Sequence, residues 1–214
     1  MNHEQPYGTT DMTIAYISHP ACSLHDMGGS HPEAPARLAA IEDQLLVSGL
    51  EFAICRYDAP PATREQLCRV HDPDYVDRIV ALSPATGLHW IDADTAMNPH
   101  TLEAARHAAG AVVSAVDLVL GGTVGAAFCA VRPPGHHAGR AAAMGFCFFN
   151  NIAVGPPMPW RNTACNASPL PISTSTTATA PRTSSGMSRG CCSVPRTSIR
   201  FTRSPVPMCR VPTW

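Results

Sequence analysis

The last 59 residues of this chain, 156–214, contain no Asp, no Glu and no His. Such a segment has no carboxylate to cap a helix or pair with a cation, and no imidazole for acid–base or metal work. All 16 acidic residues, all 10 His and 8 of the 15 Arg stand before residue 156. The remaining stretch carries 7 Arg, 10 Pro and 18 Ser or Thr, so a net charge of −1 hides a head near −8 and a tail near +7. The chain therefore divides into 1–155, which can build a packed core, and 156–214, which is expected to be unstructured. Its Pro and Ser/Thr content, with little hydrophobic periodicity, cannot offset the entropy of ordering.

Several function classes fall away at once. No apolar run is long enough to span a bilayer. The start, Met1 to Pro6, lacks the basic and apolar stretches of a signal peptide, which makes the cytoplasm the default location. A basic tail invites a nucleic-acid reading, but these Arg are scattered and lack interleaved Lys or aromatic residues. The chain has no Lys at all and is rich in Ala, Arg, Gly and Pro, which points to a GC-rich coding sequence. Cys22, Cys55, Cys68, Cys129 and Cys147 are widely spaced in mostly apolar surroundings and read as reduced, buried thiols. No role is expected for Cys191, Cys192 and Cys209.

Strand and helix patterns alternate through the head. Met12–Ile17 reads as a strand. A helix is expected to open within His31–Arg37 and run to about Val47, with Leu38, Ile41, Leu45 and Leu46 on its core side. Glu65–Val70 and Pro73–Leu82 read as short helices. Small and apolar residues from Thr101 to Leu120 predict a well-buried helix ended by Gly121-Gly122. Ala126–Val131 reads as a buried strand of a parallel sheet. Arg132-Pro-Pro-Gly-His-His-Ala138 then follows at that strand's carboxyl end, where open α/β sheets place their ligands.

His136 and His137 are the chemical centre of this pattern, because each imidazole can act as acid or base near neutral pH. Adjacent residues on a Pro-Pro-Gly loop are expected to point apart, one toward a substrate and one held otherwise. Gly145-Phe-Cys-Phe-Phe-Asn-Asn151 follows closely, placing aromatic rings and two amides near the pair. Asn150-Asn151 is expected to cap or bridge the next helix. His71 and His107 read as packed or surface histidines, not ligands.

These stretches, with His31-Pro-Glu-Ala-Pro-Ala-Arg37-Leu, Val70-His-Asp-Pro-Asp-Tyr-Val76 and Asp92-Ala-Asp-Thr95, resemble the histone deacetylase superfamily in family order. That superfamily includes bacterial acetoin-utilization and acetylpolyamine amidohydrolase proteins. The resemblance implies an arginase/deacetylase-like fold, of which the head would be the N-terminal portion: a mostly parallel α/β sheet with loops forming a tunnel to zinc. It also implies metal-assisted amide hydrolysis of acetyl-lysine protein or an acetylated small molecule. In the family, zinc polarises the carbonyl, a histidine takes a proton from water, and a Tyr holds the oxyanion.

By this resemblance His137 matches the general base and His136 its electrostatic partner. Phe146 matches the aromatic wall that grips the acyl-lysine stem, Asp94 a rim carboxylate that holds substrate backbone, and Arg37 a cation near an internal acetate channel. Each of the last three has a rival reading. Phe146 also fits a core residue, Asp94 a turn-former, and Arg37 a helix-surface residue with its head in water.

The family's zinc ligands, an Asp-x-His pair and a further Asp, are missing from the sequence as written, and its catalytic Tyr is expected beyond the last residue. The tract Ile172-Ser-Thr-Ser-Thr-Thr-Ala-Thr-Ala180 accounts for the loss. Read one nucleotide out of phase, the first two bases of each codon become the last two of the original. Thr then comes from Tyr, His, Asn or Asp, Ser from Phe, Leu, Ile or Val, and Ala from Cys, Arg, Ser or Gly. All nine positions fit Asp-Phe-Asp-Val-His-His-Gly-Asn-Gly, a metal-site sequence. Pro156–Thr163 can likewise revert to the helical Ala-Ala-His-Ala-Leu-Ala-Glu-His, and Ser185–Cys192 to Phe-Trp-Asp-Glu-Pro-Arg-Val-Leu.

The expectation is thus a frameshifted deacetylase fragment that binds no zinc and is inactive as written. It is also expected to fold poorly, for want of central strands supplied by a missing half. Two alternatives stand beside it: a non-catalytic acyl-lysine-binding remnant and a basic-tail nucleic-acid binder, against which the tail's out-of-phase origin argues.

Overall fold

The computed structural model describes residues 13–155, so Met12 and the whole of 156–214, including Cys191, Cys192 and Cys209, lie outside the described residues. In chain order come β1 (Ile14–Ser18), α1 (Ala21–Leu24), α2 (Ala36–Val47), β2 (Ile54–Asp58), α3 (Arg64–Leu67) and α4 (Pro73–Ala81). They are followed by β3 (His89–Trp90), β4 (Ala96–Met97), α5 (Thr101–Leu120), β5 (Ala126–Cys129) and α6 (Asn151–Val154).

β1 is the middle of a three-stranded, all-parallel sheet in the order β2-β1-β5. Side chains alternate across its faces, as the pleat demands. Ala15 and Ile17 join Ala127 beneath α5, whereas Tyr16 meets Leu38 of α2 with Ile54 and Phe128 close by. The result is an α/β layering with a helix on each face, the class that the motifs predict. Ile17 pairs with both Tyr57 and Cys129, so the three strands end level and their following loops share one edge. A two-stranded antiparallel hairpin, β3–β4, stands apart from this sheet.

The long helix appears over the predicted span, and Gly122 at φ 72° follows its Gly121 cap, where a left-handed residue suits glycine. Both of its sides are buried. Ala111, Ala115, Val116 and Val119 face the sheet, while Ala105, Ala109 and Val113 face α3, α4, α6 and the Phe148-Phe149 pair. Small residues make this possible by letting backbones approach. A Cβ on Gly110 would lie 1.8 Å from the Pro60 carbonyl oxygen. Strands that this helix needs are thus present in residues 13–155, contrary to the expectation that a missing half supplies them.

α2 runs Ala36–Val47, opening within His31–Arg37 as expected, and it opens late in that stretch because Pro32 and Pro35 each drive the preceding residue out of the helical region. Other expectations need correction. Leu46 is 62 % exposed; at 100° per residue it sits about 80° around the helix from Leu38, whereas Leu45 is only about 20° away. β5 stops at Cys129, two residues early. β2, an edge strand with mostly exposed side chains, has no clear sequence signal, and Cys55 on it is exposed, not buried. Among the described residues, no helix is long and apolar enough to cross a membrane.

Candidate functional site

The loop after β5 is anchored by a buried cation. Arg132 is fully buried and grips the Glu33 carboxylate with two hydrogen bonds of 2.6 Å, from Nε and Nη2. Its Nη1 donates to the carbonyls of Cys22 and His25 at 3.0 and 2.8 Å. Charges taken this far from water persist only when paired and hydrogen-bonded, and the bidentate fork supplies both. His25 completes the group: Nδ1 lies 2.8 Å from Thr101 Oγ1, and Nε2 lies 3.5 Å from Glu33 Oε2 without a hydrogen-bond partner. Burial, with the Arg132 cation beside it, pushes the His25 pKa down to about 3, so this imidazole is neutral.

Arg37 turns toward the same region. Its guanidinium donates to the Val131 carbonyl. Burial lowers its pKa, partly opposed by the Glu33 carboxylate. A head group standing free in water does not describe this residue.

At the loop's tip, the Ala138 N–H donates to Gly135 O at 3.2 Å. His136 and His137 therefore occupy the two corners of a β-turn, where neighbouring side chains diverge less than along an extended strand. Their ring centroids are 4.2 Å apart with planes at 49°, which corrects the expectation that they point apart. They differ in exposure instead, His136 half-buried and His137 exposed. Burial lowers the His136 pKa, and His137 beside it adds to the effect. His136 is thus neutral near neutral pH and can accept a proton.

A second turn forms the wall. Met144 and Cys147 exchange backbone hydrogen bonds of 3.1 and 3.0 Å around Gly145 (φ 55°) and Phe146 (φ 69°). Two positive φ values in succession are the mark of a type I′ turn, and one falls on an aromatic residue, a strained conformation. The Phe146 N–H donates to Thr95 Oγ1 at 3.1 Å, which holds the residue in that conformation. Phe146 is half-buried, so the core reading fails, and its ring lies edge-on to His31 at 4.6 Å. His31 Nε2 in turn lies 3.0 Å from the Asp94 carbonyl oxygen.

Asp94 is exposed in the β3–β4 turn, where its N–H donates to Asp92 Oδ1 and its Oδ1 accepts from Thr95 Oγ1, both at 3.0 Å. It shapes a turn, and that turn borders Phe146. A Cβ on Gly145 would meet the His137 ring at 2.9 Å, so His137 rests on this wall.

The fold thus strings His136, His137, Phe146 and Asp94 along one edge, while Arg37 is held at the Val131 carbonyl, five residues before His136. Arg132, Glu33, His25 and His31 carry no role in the sequence reading. A signal existed for Arg132, since a cation directly following a buried apolar strand must find a partner. His71 and His107 are packed, as expected: His71 Nε2 accepts the Asn150 N–H at 2.9 Å, and His107 Nδ1 lies 2.7 Å from Ala59 O. Asn150 caps α6, its side chain accepting the Ala153 N–H at 3.1 Å.

Among the described residues, no three His, Cys, Asp or Glu side chains converge to hold a metal. A cleft of about 570 Å³ lined by Tyr16, His19, Leu38, Glu42, Arg56 and Asp58 opens elsewhere, between α2 and the sheet.

Residues 31–156 match the histone deacetylase domain family. The chain is 40% identical over 149 residues to a histone deacetylase-like amidohydrolase of Pseudomonas aeruginosa, covering 70% of this chain and 37% of that protein. It is 43% identical over 128 residues to the human polyamine deacetylase HDAC10, covering 57% and 19% respectively. The crystal structure of the HDA15 HD domain superposes with a TM-score of 0.64 at 34% identity, covering 68% of this chain and 42% of that one. This chain thus spans less than half of each of these relatives. The motif order, the parallel sheet and the loop at its carboxyl edge lead to one family: the chain belongs to the histone deacetylases.

Proposed function

We propose that residues 1–155 are the N-terminal part of a zinc-dependent deacetylase-type amidohydrolase, and that the 214-residue polypeptide does not itself hydrolyse acyl groups. The observation that carries this is the His136–His137 turn resting on the Phe146 wall. It supplies a proton acceptor and an apolar surface for a methylene stem, but no metal site accompanies it among the described residues. The family match also ends at residue 156, and the 58 residues that follow carry no acidic residue and no histidine. The end of the family match there is in keeping with an out-of-frame origin of 156–214.

In this reading His137 and His136 are the base and its partner, Phe146 grips the acyl-amine stem, Asp94 sits at the rim, and Arg37 is a fixed cation below. Acetylated amines are the substrate class, acetylpolyamine or acetyl-lysine, in keeping with the similarity to the human polyamine deacetylase HDAC10. The reading carries a cytoplasmic location with it.

Sequencing the gene across codons 150–160 is the first test. An additional base there makes the tail an artefact, and the true protein a longer deacetylase whose site includes both histidines. With the reading confirmed as written, the purified chain supplied with zinc is expected to leave acetyl-lysine peptides and acetylpolyamines intact. Zinc-dependent, hydroxamate-sensitive deacetylation would overturn the proposal of inactivity.

A second reading has its own observation, since the wall of His31, Phe146 and Asp94 is assembled by contacts that involve no metal. Such a remnant would bind acyl-lysine without cleaving it. Binding of an acetyl-lysine peptide to the metal-free protein, abolished by Phe146→Ala, distinguishes this reading.

A further inference from the structure

The buried ion pair below the site joins two segments distant in sequence, and each leads to a different half of the site. Glu33 stands two residues from His31, whose ring meets Phe146 edge-on at 4.6 Å and whose Nε2 reaches Asp94 O at 3.0 Å. Arg132 stands four residues before His136, with only Pro133, Pro134 and Gly135 between. Stiff linkers pass displacements on. Two prolines fix their own φ, and a Cβ on Gly135 would come within 2.5 Å of Asn151 N and Phe149 O. On the other side, the Glu33 N–H donates to His31 Nδ1 at 3.1 Å, tying that ring to the carboxylate's own backbone.

We infer that the Arg132–Glu33 pair is a positioning clamp that sets the spacing between the aromatic wall and the histidine turn. All four bonds made by Arg132 use the fork of a guanidinium, two to one carboxylate and two to backbone carbonyls. A lysine in its place keeps the charge but can reproduce neither the fork nor the reach. Both ends of the pair are at most 8 % exposed, so solvent cannot substitute for a lost partner. The inference rests on the proposed role of His136 and His137 only for its meaning in catalysis. Its test reads ring positions and not turnover, so either proposal can fail alone.

The experiment is nuclear magnetic resonance of the full 214-residue chain with its histidines labelled in the ring. It compares the parent with Arg132→Lys and with Val116→Ala, a core truncation between α5 and the sheet that touches neither charge of the clamp. Arg132→Lys is expected to shift the ring signals of His31, His136 and His137, and to weaken the cross-peaks between His31 and Phe146. Val116→Ala should lower the unfolding midpoint without moving any of the three.

Should Arg132→Lys lower the midpoint and leave those three signals unmoved, the pair is merely structural and the inference is overturned. Equal movement of them in Val116→Ala overturns it too. So does a parent chain with random-coil histidine signals, because the clamp would then not form in this polypeptide. If Arg132→Lys fails to fold, Glu33→Gln is read in its place. It keeps the shape of the side chain while removing its charge, and the same signals are expected to move.

Discussion

The root and the tip of the loop 132–138 are built on opposite terms. At the root, Arg132 is fully buried with four hydrogen bonds, and its carboxylate partner is 8 % exposed. At the tip, His137 is exposed and His136 half-buried, held by one turn hydrogen bond and by the floor that Gly145 provides. Position is maintained where water is absent, and the titratable rings stand where water can reach. The contrast also separates stability from chemistry. A residue at the root should be costly to change and chemically silent, and one at the tip the reverse.

The sharpest way to break that contrast is to remove the buried cation. Arg132→Met leaves Glu33 buried and unpaired, for which a loss of about 3–5 kcal/mol in urea unfolding is expected. A loss under about 1 kcal/mol would mean that the root is not a buried ion pair in solution. Gly135→Ala comes next. A Cβ would press on Asn151 N and Phe149 O at 2.5 Å, both of them backbone atoms, and overpacking of this kind costs about 1–3 kcal/mol. Calorimetry showing an unchanged midpoint would contradict the tight approach of loop and α6.

Protonation sharpens the comparison further. Burial holds the folded-state pKa of His25 near 3, against 6.5 as the ordinary value. Between those values the unfolded chain binds more protons, so stability should fall as pH drops through the window. For this one residue the slope is at most about 1.4 kcal/mol per pH unit. Burial lowers His71, His19 and His136 as well, which adds in the same sense. His25→Asn should flatten the pH profile of the melting temperature, and an equally steep profile in the variant would exclude His25 as its source.

Gly145→Ala requires a side chain at φ 55° and pushes on the His137 ring. About 1 kcal/mol is expected, together with a displaced His137 ring signal. At the tip itself, His137→Ala should change stability by no more than about 0.5 kcal/mol, as befits an exposed residue. A larger change would show that the tip, too, is structural.

The contrast between the two helices on the sheet explains which elements were legible beforehand. α5 carries apolar and small residues on nearly every side and is buried on nearly every side, so pattern and environment agree from Thr101 to Leu120. α2 buries only Leu38, and its apolar Leu46 and Val47 face outward, so its pattern overstated the core side. Edge strand β2 exposes most of its side chains and left too little periodicity to read. Motif order proposed His136, His137, Phe146 and Asp94, because each stands in a short stretch whose neighbours are adjacent in sequence. It was silent on Glu33 and Arg132, which are 99 residues apart and meet only through folding.

By itself, the sequence showed that every acidic residue and every histidine stands before residue 156. It also determined the family, through the order of its motifs, and the α/β class, through the alternation of apolar periods. Those are properties of adjacent residues. Only the tertiary structure decided that two neighbouring histidines turn the same way, that Phe146 leaves the core for the rim, and that a buried guanidinium ties wall to loop. Each depends on groups brought together across long stretches of chain, where burial and the need to satisfy every polar atom select the partner.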